Sequence, residues 1–560
     1  MITKQEVLPV GIAKGPGESP HEYTFISPDH SQQLKNGEFV YYYMDIDGYP
    51  HKIIGQVVSR EPVKLFPDAF LSDPLIKPAD IARTIGYKDQ NSELFEIGVA
   101  VLGYYDEQFG AFVNPRIPPS CGKPIYLAED ELLRNTLSKK KMGERGSAHI
   151  GSLLSRTSDA VPIVLDVKEF TSTHMAIIAS TGAGKSYLAG VIVEELMSPA
   201  NKGCVLIIDP HAEYETLTEL PNVEQLREKN STTDYRPRTR IFPPKHIKVK
   251  LSSLEFSDFR YLLPNTSDRM EHILREAHKR LVNDRDNSNW GKDELQVAIR
   301  QVAEDLESSQ SGSSDYSSTA EALCWRIDHI FGQSNFTKSE HLDLKEILKP
   351  GQCTIIQLNN IDEKQQQVIV STLLRRIYRS RQRTMRRENK PLDEDYIPYP
   401  VFILIEEAHH YAPASGDAVS TGILKQILAE GRKFGVGVGL ISQRPGKLDS
   451  DVLSQCMTQF IMKVVNPIDQ NSIASSVESA SREILRELPS LSKGQVIVTG
   501  NSLNAPVLCR VRTRYTSHGG QSIDAPDEWN RWYEPDSIGL RRAEESVFVP
   551  NGKKGRNSLF

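Results

Sequence analysis

The stretch HMAIIASTGAGKSYLAGVIVEELM, residues 174–197, constrains the fold more than any other part of the chain. A short apolar run enters it, a glycine-containing turn follows, and a helix-forming run leaves it. In a strand–loop–helix unit of this kind, successive backbone N–H groups face inward just ahead of the helix N-terminus and form an anion nest. The spacing predicts phosphate contacts along Ser180, Thr181, Gly182, Ala183, Gly184, Lys185 and Ser186. Gly182 and Gly184 stand where the backbone must approach phosphate oxygens closely. Lys185 is placed to reach the β- and γ-phosphates, and the Ser186 hydroxyl to ligate Mg²⁺. Ala179 stands where the first glycine of G-x-x-x-x-G-K-[ST] is expected. Alanine suits that position only if its φ stays negative.

Three further strand ends complete the pattern. VFILIEEAHHYAP, residues 401–413, ends an apolar run in two acids. That puts carboxylates at the carboxyl edge of a sheet, where open α/β folds bind ligands. Glu406 is expected to orient Mg²⁺ and its waters, and Glu407 to polarise the water that attacks the γ-phosphate. CVLIIDPHAEY (204–214) brings Asp209 to the same edge, and GVGVGLISQRP (435–445) brings Gln443. The Gln443 amide is expected to contact the γ-phosphate or the attacking water and so to report hydrolysis. His409 and His410 lack an H-E-x-x-H register, so no metal site is expected of them.

Residues 1–165 read as an N-terminal β domain, with EYTFIS, GEFVYYYMDI, KIIGQVVS and FEIGVAVLGYY as short barrel strands between turns. NPRIPPSCGKPIY reads as a connector because of its prolines. LAEDELLRNTLSKKK reads as a short helix ending in a basic run. From residue 166 to 515, continuous apolar strands alternate with helices, the mark of a parallel sheet covered on both faces. Residues 225–349, polar and mostly helical, read as an insertion in that α/β core, and SSQSGSSDYSST inside it as a flexible loop. Residues 516–560 form a tail that carries PDEWNRWYEPD and KKGR.

With 560 residues the chain exceeds one simple core, and no apolar run reaches the roughly 20 residues that span a bilayer. MITKQEVLPVGIAKG lacks an apolar signal core, and the six cysteines (121, 204, 324, 353, 456 and 509) form no C-x-x-C pair. The expectation is a reduced, cytoplasmic setting without membrane contact. A formal net charge of −6 excludes a uniformly basic nucleic-acid coat, so any positive potential must be local. Arg444 and Lys447 are the candidates for phosphate contact. LLRRIYRSRQRTMRRENK (373–390) reads as a solvated or subunit-facing helix surface ahead of a DNA contact.

At the four strand ends, and over GRKFGVGVGLISQRPGKLDSDVLSQCMTQFIMKVVNPIDQ (431–470), the chain resembles the HerA family of hexameric DNA translocases, RecA-like ATPases of the HerA/FtsK branch. The resemblance implies a RecA-like core with a HAS-barrel-like N-terminal domain, closed by the strands of LPSLSKGQVIVTGNSLNAPVLCRVR. It further implies a homohexameric ring, ATP with Mg²⁺ between subunits, and double-stranded DNA in the channel. Arg432 resembles the family's arginine finger, given in trans to a neighbour's ATP. Glu406 stands where many relatives have Asp, and Thr173 where an arginine is often found, so the role of a second trans-acting arginine falls to another residue. Relatives work with a NurA-like nuclease, or in antiviral defence with a sirtuin-like NADase or nuclease effector. The amide- and serine-containing insertion favours a mesophilic setting and hence defence. The expectation is an ATP-driven duplex-DNA translocase. An ATP-regulated scaffold for a bound effector is the alternative, and a conjugative pump is disfavoured because membrane helices are absent.

Overall fold

A computed structural model describes residues 8–16, 20–28, 32–63, 94–229, 234–284, 289–309, 315–332, 335–477, 485–519 and 525–532. Residues 310–314 of the serine-rich segment and the KKGR of the tail lie outside them.

Seven strands come first: β1 (Gly11–Pro16), β2 (Glu22–Ser27), β3 (Phe39–Ile46), β4 (Tyr49–Pro62), β5 (Phe95–Asp106), β6 (Ala111–Val113) and β7 (Pro124–Leu127). Six of them close into an antiparallel barrel in the order β2-β1-β7-β3-β4-β5, with β2 pairing back onto β5. Alternate residues of β2 and β5 point inward, and Tyr23, Phe25, Ile97 and Val99 fill the barrel. The end of the proline-rich connector is thus a strand. Pro124 begins β7, where its missing N–H removes little, and Ile125 packs inside.

The second sheet has eleven strands: β8 (Ser147–Leu153), β9 (Pro162–Asp166), β10 (Met175–Ile178), β11 (Cys204–Asp209), β12 (Arg238–Phe242), β13 (Gln352–Gln357), β14 (Val401–Ile405), β15 (Val436–Ser442), β16 (Thr458–Ile461), β17 (Gln495–Gly500) and β18 (Val507–Val511). Their order is β12-β13-β11-β14-β15-β10-β16-β17-β18-β8-β9, parallel as far as β16 and antiparallel beyond it. Every residue of β11, β13, β14 and β15 is buried, as expected of strands covered on both faces. Two features differ from the sequence expectation. β8 and β9 belong to this sheet, so sheet membership changes before residue 165, between Leu127 and Ser147. β12, inside the stretch read as a helical insertion, is the sheet's edge strand; its alternating RTRIF leaves one face exposed.

The rest of that stretch packs as helices Asp268–Asn283, Lys292–Ser309 and Tyr316–Phe331 around Trp290, Leu295, Ile299, Leu323 and Ile327. Of the arginine-rich stretch 373–390, read as a solvated or subunit-facing surface, Arg379, Arg383, Arg386 and Arg387 are exposed, but Arg375 and Arg381 are buried with most of helix Glu363–Met385. Arg375 pairs there with Asp258 and Glu255 of the preceding segment. Arg381 donates to the Phe434 carbonyl at 2.8 Å and the Ile397 carbonyl at 2.5 Å. Burial is tolerated because each guanidinium finds acceptors.

The chain beyond β18 turns back on the phosphate-loop helix Lys185–Leu196. Fully buried Glu194 accepts from the Tyr515 N–H at 3.0 Å and from both the N–H and hydroxyl of Thr516 at 2.8 Å, and it pairs with Arg512 at 2.9 Å. Ala525–Trp532 forms a separate short helix. Among the described residues no helix is long and apolar enough to cross a membrane.

Candidate nucleotide-hydrolysis site

β11, β14, β15 and β10 are neighbours in the sheet and parallel, so their carboxyl ends lie side by side. Each carries one of the segments singled out by sequence: Asp209 ends β11, Glu406 and Glu407 follow β14, Gln443 follows β15, and the glycine loop follows β10.

The loop has the backbone its glycines allow. Gly182 takes φ 79° and Gly184 φ 107°, a region costly for a side chain, whereas Ala179 does not take a positive φ and is fully buried. The missing first glycine is therefore no defect here. Two of the expected nest amides are already engaged: the Ser180 N–H donates to the Lys463 carbonyl at 2.9 Å, and the Ala183 N–H to the Ser180 carbonyl at 3.1 Å. The first extends the β10–β16 pairing and the second closes the turn. Gly182 and Gly184 make no such backbone bond among the described residues, which leaves their N–H groups as donors for an anion.

Lys185 is only 7% exposed and sits among three acids. Its Nζ bonds Glu406, lies 3.2 Å from Glu213 and 3.7 Å from Glu407. Burial alone would lower its pKa, but these carboxylates carry it above the usual value. Complete burial pushes Glu406 up to about 7, against the pull of Lys185 and the Tyr214 hydroxyl, which donates at 2.6 Å. Glu213 stays below its usual value although burial opposes this, because the Ser186 hydroxyl and Lys185 both bind its charged form.

Glu407 adopts φ 50°, a strained left-handed backbone for a glutamate. Its Oε1 accepts from the Gln443 amide, and Gln443 in turn accepts from Thr181 Oγ1 at 2.6 Å. Its Oε2 is buried without a hydrogen-bond donor. His409 Nδ1 is 3.3 Å from that oxygen, off the line a hydrogen bond needs.

Asp209 departs from expectation. Its carboxylate is fully buried in its own turn, accepting from the N–H groups of His211 at 3.3 Å, Glu213 at 3.1 Å and Tyr214 at 3.2 Å. It is the hub of the turn that presents Glu213 to Lys185 and Tyr214 to Glu406. Glu213 and Tyr214 were missed in the sequence, and His409 was weighed only as a metal ligand; D-P-H-A-E-Y, which places Glu213 four and Tyr214 five residues beyond the strand end, was the available signal. Arg432 is exposed in the last turn of helix Val419–Phe434, which leads into the opposite end of β15, so the fold does not bring it to Lys185.

The donors fit a magnesium–triphosphate. Two glycine amides, a buried ammonium and the Ser186 hydroxyl offer what phosphate oxygens and a hard cation require. Among the described residues no three His, Cys, Asp or Glu side chains form a metal cluster of their own. Magnesium bound by one or two protein oxygens and by phosphate and water needs none. Ser186 and Glu406 could hold it.

Comparison with known proteins places this geometry. The family described as "Helicase HerA, central domain" matches residues 148–377. The DNA double-strand break repair helicase HerA of Pyrococcus furiosus is 30% identical over 457 residues, 75% of this chain and 79% of that protein. Its namesake from Saccharolobus solfataricus is 29% identical over 432 residues, 76% of this chain and 80% of that one. Among solved structures, VirB4 of Thermoanaerobacter pseudethanolicus aligns with a TM-score of 0.46 at 12% identity, covering 67% of this chain and 97% of that chain. With three quarters of its length matched to a curated HerA helicase at this identity, and with the strand ends that first suggested the likeness gathered at one edge of the sheet, the chain belongs to the HerA family.

Proposed function

We propose that this chain is an ATP-driven motor that moves along double-stranded DNA as a ring of identical subunits, six in the arrangement the family resemblance implies. The observation that carries the reading is the meeting of Lys185, Glu406, Glu407, Gln443 and Thr181 at the joined ends of β10, β11, β14 and β15. The names of the relatives, DNA double-strand break repair helicases, support DNA as the track.

In this reading ATP with Mg²⁺ supplies the phosphoanhydride whose cleavage drives movement. Lys185, Gly182 and Gly184 seat its phosphates, while Ser186 and Glu406 hold the metal. Glu407 has one oxygen tied to Gln443 and the other without a donor, the state a general base needs to take a proton from water. Gln443 joins that base to Thr181 of the phosphate loop, so a change at the phosphates is felt at Glu407. Arg432, exposed at the far edge, serves a neighbouring subunit's site and stabilises charge there. A nuclease or NADase-type effector is the proposed partner, docking on the barrel.

ATP turnover of the full chain, with and without duplex DNA, tests this. Lys185→Ala and Glu407→Gln should each lower turnover by about 10² or more, with Glu407→Gln still binding nucleotide. Unchanged turnover in both variants would sink the reading. Mixing Arg432→Ala with Lys185→Ala subunits should restore part of the activity.

A further inference from the structure

The carboxylate of Glu407 has a second neighbour besides Gln443. His409 lies in the short turn Ala408–His410, and its Nδ1 stands 3.3 Å from Glu407 Oε2 and 3.3 Å from Ser442 Oγ. The same Ser442 oxygen accepts from the Arg444 N–H at 3.1 Å. Arg444 opens the turn Pro445–Lys447, closed by the Lys447 N–H donating to the Arg444 carbonyl at 2.9 Å. The Lys447 carbonyl accepts from the Ala414 N–H at 2.8 Å, so this turn is bonded to the very loop that carries Glu407 and His409.

His409, Arg444 and Lys447 line a cavity of about 350 Å³ together with His410, Glu363 and Asp417. His409 is the group common to both sides, since it lines the cavity and abuts the buried carboxylate. Burial, then His410 and the two cations, hold its pKa down at about 4, so near neutral pH the ring carries one proton. With that proton on Nε2, Nδ1 accepts from the Ser442 hydroxyl. With it on Nδ1, the ring carries its N–H 3.3 Å from Glu407 Oε2 and donates once a small rotation brings the two into line. One ring thus has two alternative partners, the base and the serine under Arg444.

We infer that His409 is a positioning residue that couples the Arg444–Lys447 turn to the orientation of Glu407, so that duplex DNA held by Arg444 and Lys447 sets the rate at which ATP is cleaved. This rests on the motor reading above and adds its regulation. Phosphates drawn to Arg444 and Lys447 shift the turn, Ser442 Oγ moves with the Arg444 amide, and the imidazole exchanges one partner for the other. The exchange is a tautomer change: the Nε2 proton is given up to solvent and one is taken from solvent at Nδ1, so the ring stays neutral and no other bond is made or broken.

The test uses the full chain and three variants of one residue. Asparagine places an amide where Nδ1 stands, glutamine reaches instead to the position of Nε2, and alanine places nothing. ATP turnover is measured over a range of ATP concentrations, with and without duplex DNA, beside thermal melting. In His409→Ala and His409→Gln the stimulation by duplex should fall roughly tenfold while KM for ATP stays within about twofold, and His409→Asn should recover most of it. Adding His409→Ala to an Arg444→Ala/Lys447→Ala chain should cost no further stimulation, because the coupling is already cut. Equal stimulation in the glutamine variant and wild type overturns the inference. So does an asparagine variant no better than alanine, or a loss with the same factor with and without DNA. A wild-type chain whose turnover ignores duplex overturns the motor reading itself, and this inference with it.

Discussion

Gln443 holds one oxygen of Glu407 through its amide N–H while its own carbonyl oxygen receives the Thr181 hydroxyl, so one side chain spans from the acid after β14 to the loop after β10. The span only works because β14, β15 and β10 are consecutive in the sheet. Gln443→Ala should therefore leave nucleotide binding nearly intact and slow hydrolysis, by about 10² if the amide both orients the base and reports on phosphate. Single-turnover kinetics with radiolabelled ATP measures this. A wild-type rate in the variant would show the bridge to be idle.

The two loop glycines should respond differently to alanine. A Cβ on Gly184, at φ 107°, would lie 3.3 Å from Met462 Cε, whereas a Cβ on Gly182, at φ 79°, meets nothing within 4 Å. Both substitutions carry the backbone strain of a positive φ, about 1–3 kcal/mol, but only Gly184→Ala adds a contact that Met462 must yield to. Thermal melting should rank Gly184→Ala below Gly182→Ala. The reverse order would contradict the packing.

Arg375 and Asp258 form a buried ion pair between helix Glu363–Met385 and the short helix Phe256–Leu262, with Glu255 beside it at 3.4 Å. Burial raises the Asp258 pKa, and Arg375 opposes that. Arg375→Met should destabilise by about 3 kcal/mol because it strands a buried carboxylate, and Asp258→Leu together with Arg375→Met should recover much of the loss. Denaturant unfolding of the two variants decides it. A double variant less stable than the single one would mean the pair itself is strongly favourable.

His174 gives the fold an acid limit. It takes φ 62°, its Nδ1 accepts from the Val438 N–H at 3.1 Å, and burial lowers its pKa to about 4. The folded chain thus holds this proton more weakly than the unfolded chain, whose histidine titrates near 6.5. Its contribution is complete above pH 6.5 and is lost progressively toward pH 4, up to ~3 kcal/mol in all. His174→Asn keeps an acceptor and tolerates the backbone. Its melting temperature should fall less than that of wild type between pH 7 and 5, and parallel curves would remove His174 as the cause.

Much of this architecture could be read in advance because buried parallel strands are written as unbroken apolar runs, and because a glycine loop between strand and helix has few other uses. The core strands expected from HMAIIA, CVLIID, VFILIE and GVGVGLIS are all present. What escaped is equally physical. β12 exposes Arg238 and Arg240 and withdraws Thr239 and Ile241 because it is an edge strand with one wet face. β8 and β9 pair antiparallel with their neighbours as the barrel strands do, so nothing local says which sheet they join. Arg375 and Arg381 are buried against the usual expectation for arginine, and their acceptors lie 117 and 53 residues away. Glu213 matters only through the turn that Asp209 builds, a relation no linear spacing announces.

The return of the chain from β18 onto Glu194 ties the phosphate-loop helix to residues more than 300 positions downstream. Cutting the protein after Val511 would leave all eleven strands and every loop residue in place, yet uncap a buried glutamate at the back of the nucleotide-binding helix. The shortest piece of this chain worth expressing as an ATPase therefore ends at Ser517, six residues past its last strand.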